Sequence, residues 1–154
     1  MQDSKVTDES GDPFTLSTRA PPPDYPRLAP KGRFVAVLKN KREQRGFKLI
    51  LPNTRAIRRH EIHELIVTDE STAAPGVTVN RIAGLGFVEF TDGGILAQGD
   101  VLLVGSTVIG RVVGFDESHM PNHQNIIVHG PELRSGIERG FGIRDAVTFR
   151  VHMA

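Results

Sequence analysis

The feature that most constrains the fold is a succession of short apolar runs, four to nine residues long, that follows Gly32. The runs are rich in Val, Ile and Phe, and Gly, Pro, Asn and Asp separate them. β-Branched and aromatic residues favour strands, whereas the separating residues favour turns. We therefore predict nine strands, over residues 33–38, 47–51, 62–68, 77–82, 87–90, 101–104, 107–115, 125–129 and 146–151.

Short strands at this close spacing predict an all-β fold, a single small β-barrel that is closed or nearly closed. Closure would remove the edge strands that such a sheet otherwise exposes. Six of the ten prolines lie within the first 30 residues, and proline cannot donate to a sheet ladder. We therefore predict a proline-rich arm or tail over residues 1–30 and a β-barrel domain over residues 31–154.

Two stretches leave the local structure open. Residues 53–65 fit a helix and a strand equally well before Glu61, and a strand better after it. Gly105 and Ser106 separate two apolar strands as a two-residue hairpin turn would. Within the second of these strands, Gly110 and Gly114 indicate a bulge, a barrel corner or a close backbone approach. If Gly114 has a positive φ there, a β-branched residue in its place should be costly.

Residues 94–150 contain a series of turn and strand motifs. Gly99 and Asp100 precede an apolar strand, a later strand ends in Val113 and Gly114, and a loop follows Gly130. This stretch resembles the glucitol/sorbitol-specific IIA component of the bacterial sugar phosphotransferase system, which implies a small β-barrel. That family carries phosphate on a histidine just before the Gly-Asp turn. Here no histidine lies between His63 and His119, so the resemblance implies the fold and not the phosphotransfer.

Composition excludes several classes of protein. The chain contains no cysteine, which excludes disulfides, thiolate metal sites and a cysteine nucleophile. No apolar run approaches the roughly 20 residues of a membrane-spanning helix, so no membrane association is predicted. The polar first residues resemble neither a secretory signal nor a transit peptide. A cytoplasmic protein is therefore expected.

Positive charge is concentrated in residues 31–59, which hold ten basic residues and one acidic residue. Lys39, Lys41, Arg42 and Arg45 cluster at a predicted hairpin tip. Nucleic-acid binding is not predicted, because the chain has one Tyr and no Trp for base stacking, and residues 60–154 hold six basic but twelve acidic residues. A patch for a small anionic ligand or an acidic partner fits better, and a solvated hairpin is the alternative.

The six histidines are clustered. The group around His60 and His63 could bind a metal together with a histidine of the group around His119 and His123. His60, His63 and Glu64 lie within five residues. A catalytic metal commonly takes three protein ligands, so His119 or His123 from a second loop could complete the set. Imidazole ligands favour zinc, nickel or cobalt. Either a divalent metal or no cofactor is consistent with this pattern, since no complete metal motif is present and solvated surface histidines remain the alternative.

The second group suits acid–base chemistry. His119 and His123 flank a Pro-containing turn, and Asp116 and Glu117 stand just before it. Histidine titrates near neutral pH, and a neighbouring carboxylate can orient it. These four residues are the predicted catalytic set.

Two functions of different class follow from these patterns. The first is an enzyme that acts on a small molecule by His/carboxylate acid–base chemistry, with or without a metal, of isomerase, cyclase or lyase type and plausibly biosynthetic. The second is a non-catalytic barrel that binds or carries a small molecule or a protein. The sequence leaves a homo-oligomer open in either case.

Removal of residues 1–25 should leave the domain folded, because their proline and charge content can supply little core. Circular dichroism and a thermal melt of the truncated chain test this prediction. Loss of the cooperative transition would show that this segment is structural.

Overall fold

The computed structural model describes residue 21 and residues 23–152, and β-strands are the regular secondary structure there. Twelve strands follow one another along the described residues: β1 (Lys31–Val37), β2 (Lys41–Arg42), β3 (Phe47–Lys48), β4 (Thr54–Ile57), β5 (Ile62–Thr68), β6 (Thr78–Val79), β7 (Ile82–Asp92), β8 (Gly94–Ala97), β9 (Val101–Val104), β10 (Thr107–Asp116), β11 (Asn125–His129) and β12 (Ala146–Arg150). The all-β prediction is confirmed. This described part of the chain contains no helix long and apolar enough to cross a membrane.

Seven strands form a closed ring of pairings in the order β1, β12, β9, β10, β11, β5 and β7, with β7 returning to β1. Strand β2 extends the sheet beside β7, and β3–β6 and β4–β8 form two small ladders. The pairings are antiparallel except that of β5 with β11. A parallel pair needs a long crossover. Here strands β6 to β10 intervene between the two partners.

The strand predictions for 62–68, 101–104 and 125–129 are confirmed to the residue. The predicted strand 87–90 is only part of the longer β7, and the predictions missed β2 and β8. Of the two alternatives left open before Glu61, the strand is confirmed by β4. A helix before Glu61 is wrong, because β4 forms there and pairs with β8. That ladder is a tertiary contact between segments about 40 residues apart, which local periodicity does not reveal.

The predicted hairpin at Gly105 is confirmed: β9 and β10 pair antiparallel, and Gly105 has a φ of 60°. Register shifts after Val108 and Val112 place bulges at both predicted glycines of β10. Gly114 does not have a positive φ, so the condition for a large backbone cost of substitution there is not met. A side chain at Gly114 would meet the flexible side chain of Leu49, whereas one at Gly110 would meet the backbone of His129.

Strand β5 is buried on both of its faces from His63 to Thr68. Leu65 belongs to the larger core cluster, together with Phe34 and Phe115. Ile66 belongs to a second cluster with Phe47. Since alternate residues of a strand point to opposite faces, β5 separates the two cores.

The predicted arm lies partly outside the described residues, which omit 1–20 and 22. Its described end is tied to the domain by Arg27. The Arg27 guanidinium donates two hydrogen bonds of 2.7 Å to the carboxylate of Asp100, and others to the carbonyls of Ile95 and His152. The two side chains are only 2 % and 0 % exposed. Hydrogen bonding to Asp100 raises the pKa of Arg27, so the pair is buried in its charged form.

Arg27→Met should destabilise the protein by about 3–5 kcal/mol, because it leaves the Asp100 carboxylate buried without its counter-ion. Chemical denaturation measures the change. Arg33→Met is the matched control, since Arg33 pairs with Glu89 at a more exposed site, where such pairs contribute about 0–1 kcal/mol. Equal losses in the two variants would contradict the structural role of Arg27.

Candidate functional site

The parallel pairing of β5 with β11 builds the site, because it places Glu64 opposite Asn125. The loop that joins β10 to β11 therefore folds back over β5. This loop carries His119 and His123, which come within reach of the Glu64 carboxylate. Residues more than 50 positions apart in the sequence thus meet at one point.

Glu64, His119 and His123 form the cluster. One ligand atom from each, a carboxylate oxygen or an imidazole nitrogen, lies within 4.8 Å of the other two. Glu64 Oε1 is 3.2 Å from His123 Nε2 and 4.0 Å from His119 Nδ1. The Glu64 and His123 side chains are only 9 % and 11 % exposed, whereas that of His119 is 38 % exposed. The cluster is therefore buried on one side and open on the other.

The orientation of His123 is fixed from both sides. Its Nδ1 lies 2.6 Å from Asn122 Oδ1, and an amide oxygen only accepts hydrogen bonds. Nδ1 therefore carries a proton, and in the neutral ring Nε2 presents its lone pair to Glu64. The edge of the His123 ring also contacts Phe87, at 4.9 Å between centroids.

A lone pair facing a carboxylate oxygen at 3.2 Å is favourable only if a proton or a cation lies between the two atoms. Burial raises the pKa of Glu64, and the neighbouring His123 opposes this shift. Without a proton or a cation between the two atoms, the contact between Glu64 and His123 is therefore unfavourable. Proton sharing or metal coordination would remove this unfavourable energy.

His119 connects the cluster to a basic residue. Its Nε2 lies 3.3 Å from Arg45 Nη2, and a guanidinium only donates, so Nε2 accepts. In the neutral ring Nδ1 then carries the proton, and it lies against the side-chain amide of Asn125, 3.3 Å from Oδ1 and 3.1 Å from Nδ2. The His119 ring also stands edge-on to Phe47.

Of the predicted catalytic carboxylates, Asp116 lies behind the cluster and Glu117 outside it. Asp116 accepts hydrogen bonds from the Asn125 amide at 2.8 Å and from the backbone and hydroxyl of Ser118. It therefore holds the loop and, through Asn125, positions His119. Glu117 is exposed.

Of the predicted metal ligands, one lies in the cluster and two lie outside it. Glu64 belongs to the cluster, but His63 points to the opposite face of β5. There its Nε2 lies 2.9 Å from Glu61 Oε1, and its Nδ1 accepts the backbone N–H of Gln124 at 2.9 Å. Both nitrogens are thus engaged, and burial lowers the pKa of His63 despite Glu61. His60 is exposed and stands 3.8 Å from Glu89.

A pocket of about 300 Å³ adjoins the cluster. Its polar lining is formed by Asn40, Arg42, Arg45, Glu64 and His119, and its apolar lining by Leu38, Phe47, Ile66, Ile82 and Phe87. Cavities of this volume accept small organic molecules. The basic cluster predicted from sequence therefore contributes two arginines to the histidine cluster's own pocket.

Residues 24–150 match the sequence model of a family of unknown function, DUF6917. The chain belongs to this family. A comparison with curated proteins and one with solved structures found no match. In this DUF6917 member the matched range contains the Arg27–Asp100 pair, the cluster and the pocket.

Sequence reasoning missed three contributors to the site, namely Asn122, Asn125 and Phe87. The predictions give the two asparagines no role in the site. Their proximity to His119 and His123 was a usable signal, because histidines that bind metals or protons commonly hold an amide or carboxylate partner. No local signal marks Phe87, which reaches His123 only through the pairing of β7 with β5.

Acid should destabilise the chelator-treated protein partly through His63. An unfolded His63 takes up a proton near pH 6.5, whereas the folded protein resists it, so stability falls as the pH drops below that value. His63→Gln should show a smaller loss of melting temperature between pH 7.5 and 5 than the wild type. The exposed-site variant His60→Gln is the control and should retain the wild-type loss; an unchanged slope in His63→Gln would refute the assignment.

Proposed function

We propose that this DUF6917 member is a small-molecule enzyme in which Glu64, His119 and His123 hold a divalent metal ion beside the pocket. The observation that carries the proposal is the convergence of these three side chains, two of which, Glu64 and His119, line a cavity of small-molecule size. Two imidazoles and one carboxylate form a typical catalytic ligand set, because three protein ligands leave a position for water or substrate. Zinc, nickel or cobalt suit such ligands.

The surroundings of the ligands support a cation. The His123 ring donates its second N–H to Asn122, the outer contact that metal-bound histidines usually make. A cation would also neutralise the Glu64 carboxylate, which otherwise faces a lone pair at 3.2 Å. The ring of seven strands would act as a small barrel that holds β5 and β11 in one register and so pre-orients the ligands.

The chemistry proposed for this centre is acid–base catalysis of isomerase, cyclase or lyase type. A bound divalent ion lowers the pKa of a coordinated water and polarises substrate oxygens. Asp116 and Asn125 would act as positioning residues, since they hold the His119 loop without facing the pocket. The shared proton of a metal-free Glu64–His123 pair could serve the same acid–base role.

A second candidate is a non-catalytic binding barrel, and one observation favours it. The Arg45 guanidinium contacts His119, where its positive charge disfavours a cation. In this alternative the cluster shares protons and shapes the pocket, and the pocket binds a ligand without transforming it.

Addition of Zn²⁺, Ni²⁺ or Co²⁺ to chelator-treated protein should raise its melting temperature. A ligand at 100 times its Kd stabilises the folded state by about 2.7 kcal/mol. The increase should be lost in His123→Gln, Glu64→Gln and His119→Gln separately, and be retained in the control His60→Gln. Bound Co²⁺ should also give visible absorption bands that the three variants lack.

An unchanged wild-type melt with all three metals would refute the metal centre. An increase that persists in the three variants would place the metal elsewhere and refute it as well. In the first case, a pocket ligand that binds equally well to wild type and His123→Gln would favour the binding barrel over the acid–base enzyme.

A further inference from the structure

We infer that the pocket recognises a small organic anion, a carboxylate or phosphate ester with an apolar part, through Arg42 and Arg45. The inference names the ligand class of the site in the proposed function. The anion recognition itself stands on the arginines and does not require the metal. Both arginines line the pocket, together with Glu64 and His119.

Arg45 is held in position before any ligand arrives. Its guanidinium lies 4.1 Å from the centre of the Phe47 ring, a cation–π contact that restrains the group. One N–H is directed to His119, and the others carry no further hydrogen bond to a described residue. A stacked guanidinium with free N–H groups is well suited to grip a carboxylate or phosphate.

Arg42 has no hydrogen bond or ion pair with any described side chain. The acidic residues nearby are engaged elsewhere, as Glu43 pairs with Arg81 and Glu138 pairs with Lys41. Glu64 is the acidic residue of the lining, against the two arginines. The pocket therefore keeps an excess of positive charge.

The remaining lining selects an organic ligand of limited size. Phe47, Ile66, Ile82 and Phe87 provide apolar surface in the same pocket. A volume of about 300 Å³ is at the small end for ligand pockets. A short anionic molecule with an apolar part matches both the basic and the apolar residues of the lining.

Anion and metal binding should reinforce each other through His119. A cation on Nδ1 requires the ring proton to move to Nε2, which then no longer accepts from Arg45. The released Arg45 N–H can turn to the anion, whose charge also offsets the repulsion between Arg45 and the cation. Because linkage is reciprocal, each ligand should tighten the other by the same factor.

Isothermal titration of chelator-treated protein with phenyl phosphate, benzoate and inorganic phosphate tests the inference. Phenyl phosphate should bind more tightly than inorganic phosphate, and uncharged benzyl alcohol should not bind. Arg42→Gln should weaken phenyl phosphate or benzoate by about tenfold to a hundredfold, as expected for lost charge-assisted hydrogen bonds. Arg150→Gln is the matched control, since Arg150 is exposed on β12, and should bind as the wild type does.

Equal affinity in Arg42→Gln and Arg150→Gln, or no binding of any anion, would overturn the inference. A preference for phenyl phosphate over benzoate identifies phosphate esters, and the reverse identifies carboxylates. The same titrations with Ni²⁺ present separate the two proposals. If anion binding depends on Arg42 and Ni²⁺ has no effect, the anion site is supported and the metal centre is not. If Ni²⁺ binds and anion binding does not depend on Arg42, the metal centre is supported and the anion site is not.

Discussion

The parallel pairing of β5 with β11 is the constraint on which the site depends. It joins segments on either side of five intervening strands and sets Glu64 beside Asn125. A shift of one residue would turn every β5 side chain to the other face and place His63 where Glu64 now lies. Burial of both faces of β5 fixes this register, since Leu65 and Ile66 each fill a different core.

Two buried acidic groups show how differently the fold treats charge. Asp100 receives two N–H groups from Arg27 and the backbone N–H groups of Ala97 and His152, so its charge is fully compensated. Glu64 instead faces imidazole nitrogens at 3.2 and 4.0 Å and no guanidinium within hydrogen-bonding distance. The charge of Asp100, which is structural, is therefore fully compensated by its hydrogen-bond donors. The charge of Glu64 is not, and a proton, a metal or a ligand can supply the missing compensation. Perturbed and incompletely paired groups beside a cavity are typical of functional sites.

His63 and His123 differ in the same way, since the first has a structural role and the second faces the site. His63 uses both nitrogens to join β5 to the loop before β11, and its burial keeps it neutral. His123 uses one nitrogen for Asn122 and directs the other towards Glu64. A histidine whose second nitrogen faces a carboxylate beside a cavity remains available for chemistry.

The sequence by itself determined the strand content, because β-branched runs and turn residues act locally. It was sufficient for strands 62–68, 101–104 and 125–129, and for the hairpin at Gly105. It also identified Glu64, His119 and His123 as candidates, although within sets that included His60 and His63. Only the tertiary structure decided which of them meet. Strand alternation places His63 and Glu64 on opposite faces of β5, and the crossover brings the loop with His119 and His123 to only one of these faces. The place of Arg42 and Arg45 beside this cluster was decided in the same way, because pairing between distant strands depends on burial of the whole sheet and leaves no local pattern to read.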